Sequence, residues 1–113
     1  MAKIELSGEQ AEQALQIVEV VKQSGKIKKG LNEVTKAIER SQAKIVLLAS
    51  DANPAELVMH IPILCDEKEI KCVVAGNREE LGVAAGLAVG TVALAITDEA
   101  NAKDDLAKLL ESL

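Results

Sequence analysis

The residues with the most specific chemistry to offer lie in one short stretch, Gly30-Leu31-Asn32-Glu33-Val34-Thr35-Lys36-Ala37-Ile38-Glu39-Arg40. Asn32 and Lys36 are four apart and share one face of a helix, with Glu33 beside them at its N-terminal end. Such a trio can read guanine: a carboxylate accepts from the N1 and N2 donors, while Lys and Asn meet the O6 and N7 acceptors. Free amides at the helix start favour a phosphate. The same residues also suit an ordinary solvated helix, with Glu33 complementing the helix dipole. Their surroundings tip the balance. From Lys22 to Lys44 seven basic residues (Lys22, Lys26, Lys28, Lys29, Lys36, Arg40, Lys44) stand against two acidic ones, a local +5 in a chain of net charge -5. The remainder therefore carries -10, and the pattern is that of a basic footprint for a polyanion on an otherwise repulsive surface.

No other set of residues offers comparable chemistry. His60 is the only histidine and has no second ligand at metal-binding spacing, so a structural role is expected. Cys65 and Cys72 form no CxxC pair and read as two buried thiols packed as small hydrophobes. Ser41, Ser50 and Thr97 lie in no nucleophile-elbow pattern, which argues against nucleophilic catalysis. Gly82, Gly86 and Gly90 match neither a phosphate loop nor a dinucleotide fingerprint. They read instead as sites of helix packing, helix termination and a tight loop. No enzyme activity, metal or cofactor is expected. The sequence contains no Phe, Tyr or Trp, which excludes base stacking on aromatic platforms and aromatic cages for cations.

The elements that must position these residues follow from pattern. With 113 residues, 49% of them hydrophobic, the chain fits one domain over 1–113 with an aliphatic core. Ser7 and Gln10 form a capping box that opens a helix ending near Gly25, with Leu15, Val18, Val20 and Val21 on adjoining faces. Lys26-Ile27-Lys28 alternates, and a second helix follows Gly30 to about Arg40. Lys44 to Ala49 is a strand buried on both faces. Asn53-Pro54 starts a third helix, and Pro62 predicts a break at Ile61 with a short helical piece from Pro62 to about Lys68. A strand over Lys71–Ala75, a helix capped by Asn77 and ending at Gly86, a strand over Thr91–Thr97 and a last helix capped by Asp98 complete the chain. Short apolar strands alternating with helices predict an α/β/α sandwich. Met1 to Leu6 shows no export pattern, and glycines break the weakly polar stretch from Leu81 to Ile96, so a cytoplasmic, non-membrane protein is expected.

From about Lys26 to Ile96 the sequence resembles the L-seven-Ae family of archaeal and eukaryotic ribosomal proteins. The likeness rests on residues 26–40, the Asp51-to-Pro54 segment, His60-Ile61-Pro62-Ile63-Leu64-Cys65, and Glu80-Leu81-Gly82 through Ala85-Gly86-Leu87. It implies a three-layer sandwich around a mixed four-stranded sheet and a non-enzymatic protein that recognises kink-turn RNA through tandem sheared G·A pairs. By that resemblance Asn32, Glu33 and Lys36 contact the guanines and Gly30 lets the backbone approach. Lys28, Lys29, Arg40 and Arg78 meet phosphates, Arg78 standing where the family usually has Lys. Leu87, Ala88, Val89, Gly90 and Thr91 cover an extruded base. Implied partners are ribosomal RNA, guide RNA of box C/D and H/ACA particles, ribonuclease P RNA and ribonucleoprotein proteins, with a monomer in the free state. The rival reading is a protein-interaction or stress-regulatory module on the same fold. Ser41 replaces a frequent glycine of the family, which implies strain where the second helix ends. Ser50 and Asn53 replace acidic residues, Ala88 a common Glu, and Lys71-Cys72-Val73-Val74 an aromatic-bearing strand.

Overall fold

The computed structural model describes residues 4–52 and 58–113. In chain order the elements are β1 (Ile4–Glu5), α1 (Gly8–Ser24), β2 (Lys26–Lys29), α2 (Leu31–Glu39), β3 (Ile45–Leu48), α3 (His60–Glu67), β4 (Lys71–Val74), α4 (Arg78–Ala84), β5 (Ala93–Asp98), a 3-10 turn (Ala100–Ala102) and α5 (Lys103–Glu111). The strands form one mixed sheet in the order β1-β4-β3-β5-β2. β3 pairs parallel with β4 and antiparallel with β5, and β5 pairs antiparallel with β2.

Alternation along the strands divides the core in two. Ile45, Leu47, Val73, Leu94 and Ile96 face one way, where Ala14, Ile17, Val18 and Val21 of α1, Leu81 and Ala84 of α4, and Leu106 and Leu109 of α5 cover them. Val46, Leu48, Cys72, Val74, Ala93 and Ala95 face the other way, under Val34, Ala37 and Ile38 of α2 and Ile61 and Cys65 of α3. Helices thus lie on both faces of the sheet, as a run of buried strands requires. All four residues of β3 are buried, which makes it the central strand that its apolar run predicts. Both cysteines are buried. A hydrogen bond from Cys72 lowers the pKa of Cys65 against the upward push of burial.

The capping signals are realised in detail. Ser7 Oγ accepts from the Gln10 amide at 3.2 Å, and Gln10 Oε1 accepts from the Ser7 amide at 3.2 Å. At α4, Asn77 Oδ1 accepts from the Glu80 amide at 2.8 Å and Glu80 Oε1 from the Asn77 amide at 3.0 Å.

Four expectations are corrected. The sheet has five strands rather than four, because Ile4–Glu5 adds a parallel edge to β4; two residues are too few to show a period. The break at Ile61 does not occur. α3 begins at His60, so Pro62 falls in its first turn, where the amide that proline lacks has no intrahelical acceptor. Asp98 does not cap α5: its carboxylate accepts from the Ala100 amide at 3.0 Å and closes the 3-10 turn, while α5 starts after Ala102 without a side-chain cap. Val20 is 39% exposed, and Ala14 and Ile17 take the core-facing positions of α1 instead. The helix start expected at Asn53-Pro54 lies outside the described residues.

Three helices end in the same way. Gly86 has φ +77, its amide donates to the Val83 carbonyl and the Leu87 amide to the Gly82 carbonyl, the left-handed ending that glycine favours. At α2 the equivalent bonds run from Ser41 to Ile38 at 2.9 Å and from Gln42 to Ala37 at 2.8 Å, with Ser41 at φ 56. At α3 they run from Glu69 to Asp66 and from Ile70 to Cys65, with Glu69 at φ 58. Ser41 therefore bears the strain that its replacement of glycine implies. Left-handed backbone costs a side-chain-bearing residue about 1–2 kcal/mol, partly offset by the entropy that glycine loses on folding. Ser41→Gly is expected to stabilise the protein by about 0.5–1 kcal/mol, read as a higher urea midpoint with unchanged slope.

Candidate nucleic-acid interface

The sheet's connectivity gathers the site. β3 and β4 run parallel, while β5 runs against both β3 and β2. The carboxyl ends of β2, β3 and β4 and the amino end of β5 therefore meet at one end of the sheet. Backbone bonds join them. The Gly30 amide donates to the Ala93 carbonyl at 3.1 Å, the Ala49 amide to Val92 at 2.9 Å, the Ser50 amide to Gly76 at 2.8 Å, and the Thr91 amide to Arg78 at 3.1 Å.

α2 starts at this end and runs back over one face of the sheet. Gly30 sits at its N-cap with φ 91 and ψ 158, and a Cβ there would have no neighbour within 4 Å. Glycine is needed for the backbone conformation, then, and its bareness leaves the chain open to close approach. No side chain caps α2, so the first-turn amides of Leu31, Asn32 and Glu33 lie at a helix start that attracts anions. Val34, Ala37 and Ile38 fix the buried face, while Asn32, Glu33, Lys36 and Arg40 are exposed. Lys36 Nζ pairs with Glu33 Oε2 at 3.4 Å, with both side chains about half exposed (56% and 50%). A pair so solvated is worth under about 1 kcal/mol and yields readily to a better partner. Arg40 shares this face but lies roughly 12 Å farther along the axis than Asn32.

Arg78 is held at the start of α4. Asp51, just past β3, accepts from its backbone amide at 2.8 Å and lies 3.6 Å from its Nε, with about half of each side chain exposed. Asp51 belongs to the motif that carries the resemblance, but its positioning role is invisible in sequence, because the partners are 27 residues apart. A second such contact joins α2 to α3. Thr35 Oγ1 donates to the Leu31 carbonyl at 2.8 Å and lies 3.3 Å from His60 Nε2. His60 thus lies beside α2, next to a Thr35 hydroxyl already bonded within the helix. Among the described residues no group of three or more His, Cys, Asp or Glu is placed to hold a metal ion.

The loop after α4 is fixed by contact. A Cβ on Gly82 would strike the Val89 carbonyl oxygen, and one on Gly90 would come within 3.1 Å of Arg78 Cβ. Helix packing, helix termination and a tight loop are thus the roles of Gly82, Gly86 and Gly90. Within the loop Leu87 packs against the α1-side core, and Thr91 is 7% exposed with its hydroxyl on the Ala93 carbonyl at 3.1 Å. Val89, at 73% exposure, is its large outward apolar side chain; Ala88 and Gly90 are exposed beside it. The structure thus brings Lys29, Gly30, Asn32, Glu33, Lys36, Arg78 and the loop to one end of the sheet, and sets Arg40 apart along α2. Among the described residues no helix is long and apolar enough to cross a membrane.

Comparison with solved structures finds the same architecture in the Giardia lamblia 15.5kD RNA binding protein, with a TM-score of 0.88 and 29% sequence identity over 95% of this chain and 89% of that one. The model of the ribosomal protein L7Ae/L30e/S12e/Gadd45 family matches residues 12–106. With most of its length matched, the chain belongs to the ribosomal protein L7Ae/L30e/S12e/Gadd45 family.

Proposed function

We propose that this protein is a non-enzymatic RNA-binding component of ribonucleoproteins that recognises kink-turns through their tandem sheared G·A pairs. The observation that carries the reading is the start of α2: an uncapped helix N-terminus beside a bare glycine, with Asn32, Glu33 and Lys36 exposed together in a segment of charge +5. The similarity to a protein described as RNA-binding supports it.

Regular A-form RNA hides its major-groove edges in a deep, narrow groove, so a helix-borne trio meets guanine edges only where the duplex is bent or opened. Glu33 accepts from guanine N1 and N2 once Lys36 leaves it, Lys36 and Asn32 turn to O6 and N7, and Lys28, Lys29, Arg40 and Arg78 take phosphates. Val89 covers the extruded base by apolar contact. Since these contacts exist only with the bent form, binding shifts the RNA towards it. The large ribosomal subunit, box C/D and H/ACA guide particles and ribonuclease P are the assemblies this activity serves, with the free protein a cytoplasmic monomer.

A kink-turn RNA is expected to bind far more tightly than the same RNA with its G·A pairs made Watson–Crick; equal affinities by calorimetry at fixed salt refute the reading. Glu33→Ala should shrink that preference by about 1–3 kcal/mol, measured as the ratio of the two dissociation constants. Lys28→Ala should weaken both RNAs alike and lower the slope of log affinity against log salt by about one, a shift that titrations across a salt series will detect.

A further inference from the structure

The cations between Lys22 and Lys44 do not all face the same way. Directly opposed residues of an antiparallel ladder project to the same side of the sheet. Lys28 lies opposite Ala95, on the α2 side, whereas Ile27 and Lys29 lie opposite Ile96 and Leu94, whose side chains join the α1-side core. Lys29 therefore projects on the face turned away from α2. There it shares an open groove of about 290 Å³ with Lys22, from the last turn of α1, and with Gly25 and Ile27; Lys26 and Lys28 border it along the strand.

No acidic residue lines this groove, and among the described residues neither Lys22 nor Lys29 is in an ion pair. Lys22 is nonetheless placed. Its Cδ lies 2.8 Å from where a Cβ on residue 86 would stand, so its stem crosses the space that Gly86 leaves open. Packing of the stem orients the ammonium beside the turn that leads into the loop at 87–91.

We propose that Lys22 and Lys29 hold backbone phosphates of the second arm of a bent RNA, on the face of β2 opposite α2. This rests on the kink-turn reading above and adds to it a second polyanion track, with Lys22 as a binding residue. A single straight duplex laid along α2 follows Asn32, Lys36 and Arg40 and leaves this groove empty. A kinked RNA sends a second arm off at an angle, round the β2 edge.

The test compares wild type with Lys22→Gln, which keeps most of the stem, and with Lys22→Arg, which keeps the charge. Each is titrated across a salt series with a kink-turn RNA and with two shorter forms, each trimmed in one arm. On the intact RNA, Lys22→Gln should lower the salt slope by about one and Lys22→Arg should not, the preference for sheared G·A pairs staying unchanged in both. On one of the two trimmed RNAs the difference between Lys22→Gln and wild type should vanish. A wild-type slope for Lys22→Gln, or a difference that survives both trims, overturns the proposal. A wild type without preference for the kink-turn overturns the functional reading instead, and is scored separately. Equal thermal midpoints for the three proteins assign any change to binding rather than to folding.

Discussion

The antiparallel course of β5 between β3 and β2 is the constraint on which the rest of the molecule depends. β3 and β4, running parallel, each deliver a loop to the same end of the sheet. Only because β5 runs the other way do its leading loop and the exit of β2 arrive there too. Three loops and one helix start, drawn from residues 30 to 92, then share a few backbone hydrogen bonds. A parallel β5 would carry the loop at 87–91 to the far end and separate it from α2. α2 and α3 both run back from this end over the same face of the sheet, and the start of α3 meets the middle of α2, where His60 lies 3.3 Å from Thr35.

An aliphatic core suits this layout. α2 contributes only Val34, Ala37 and Ile38 to the fully buried set, a narrow stripe that leaves the remaining surface of the helix to polar residues. Small branched side chains let the four-residue strands β3 and β4 feed both cores at once. Along the chain the positive charge is concentrated between Lys22 and Lys44, while the remainder carries the acidic excess. Net charge alone conceals this; its distribution along the chain does not.

Much of the fold was legible because its signals are local. Capping boxes at Ser7 and Asn77, the apolar run at Ile45–Leu48 and the glycine at 86 each declare an element within a few residues of sequence. Errors arose where a local rule has a positional exception. Proline breaks a helix interior but not its first turn, and an aspartate near a helix start bonds whichever amide is in reach, here Ala100 rather than an amide of α5. The trio on α2 was readable from i, i+4 spacing. The clasp of Arg78 by Asp51, the contact of His60 with Thr35 and the seating of Lys22 over Gly86 were not, for each depends on residues at least 25 apart that only the folded sheet brings together.

The outer edge of the sheet has a consequence beyond recognition. β2 ends the sheet with Lys26, Lys28 and Lys29 exposed along its four residues. Unpaired strand edges invite another strand to dock, and a row of lysines is one means by which proteins prevent it. The lysines of β2 thus guard this edge against the sheet of a second copy. Replacing them with neutral residues removes that guard, which couples the protein's resistance to aggregation to the charge carried on this one strand.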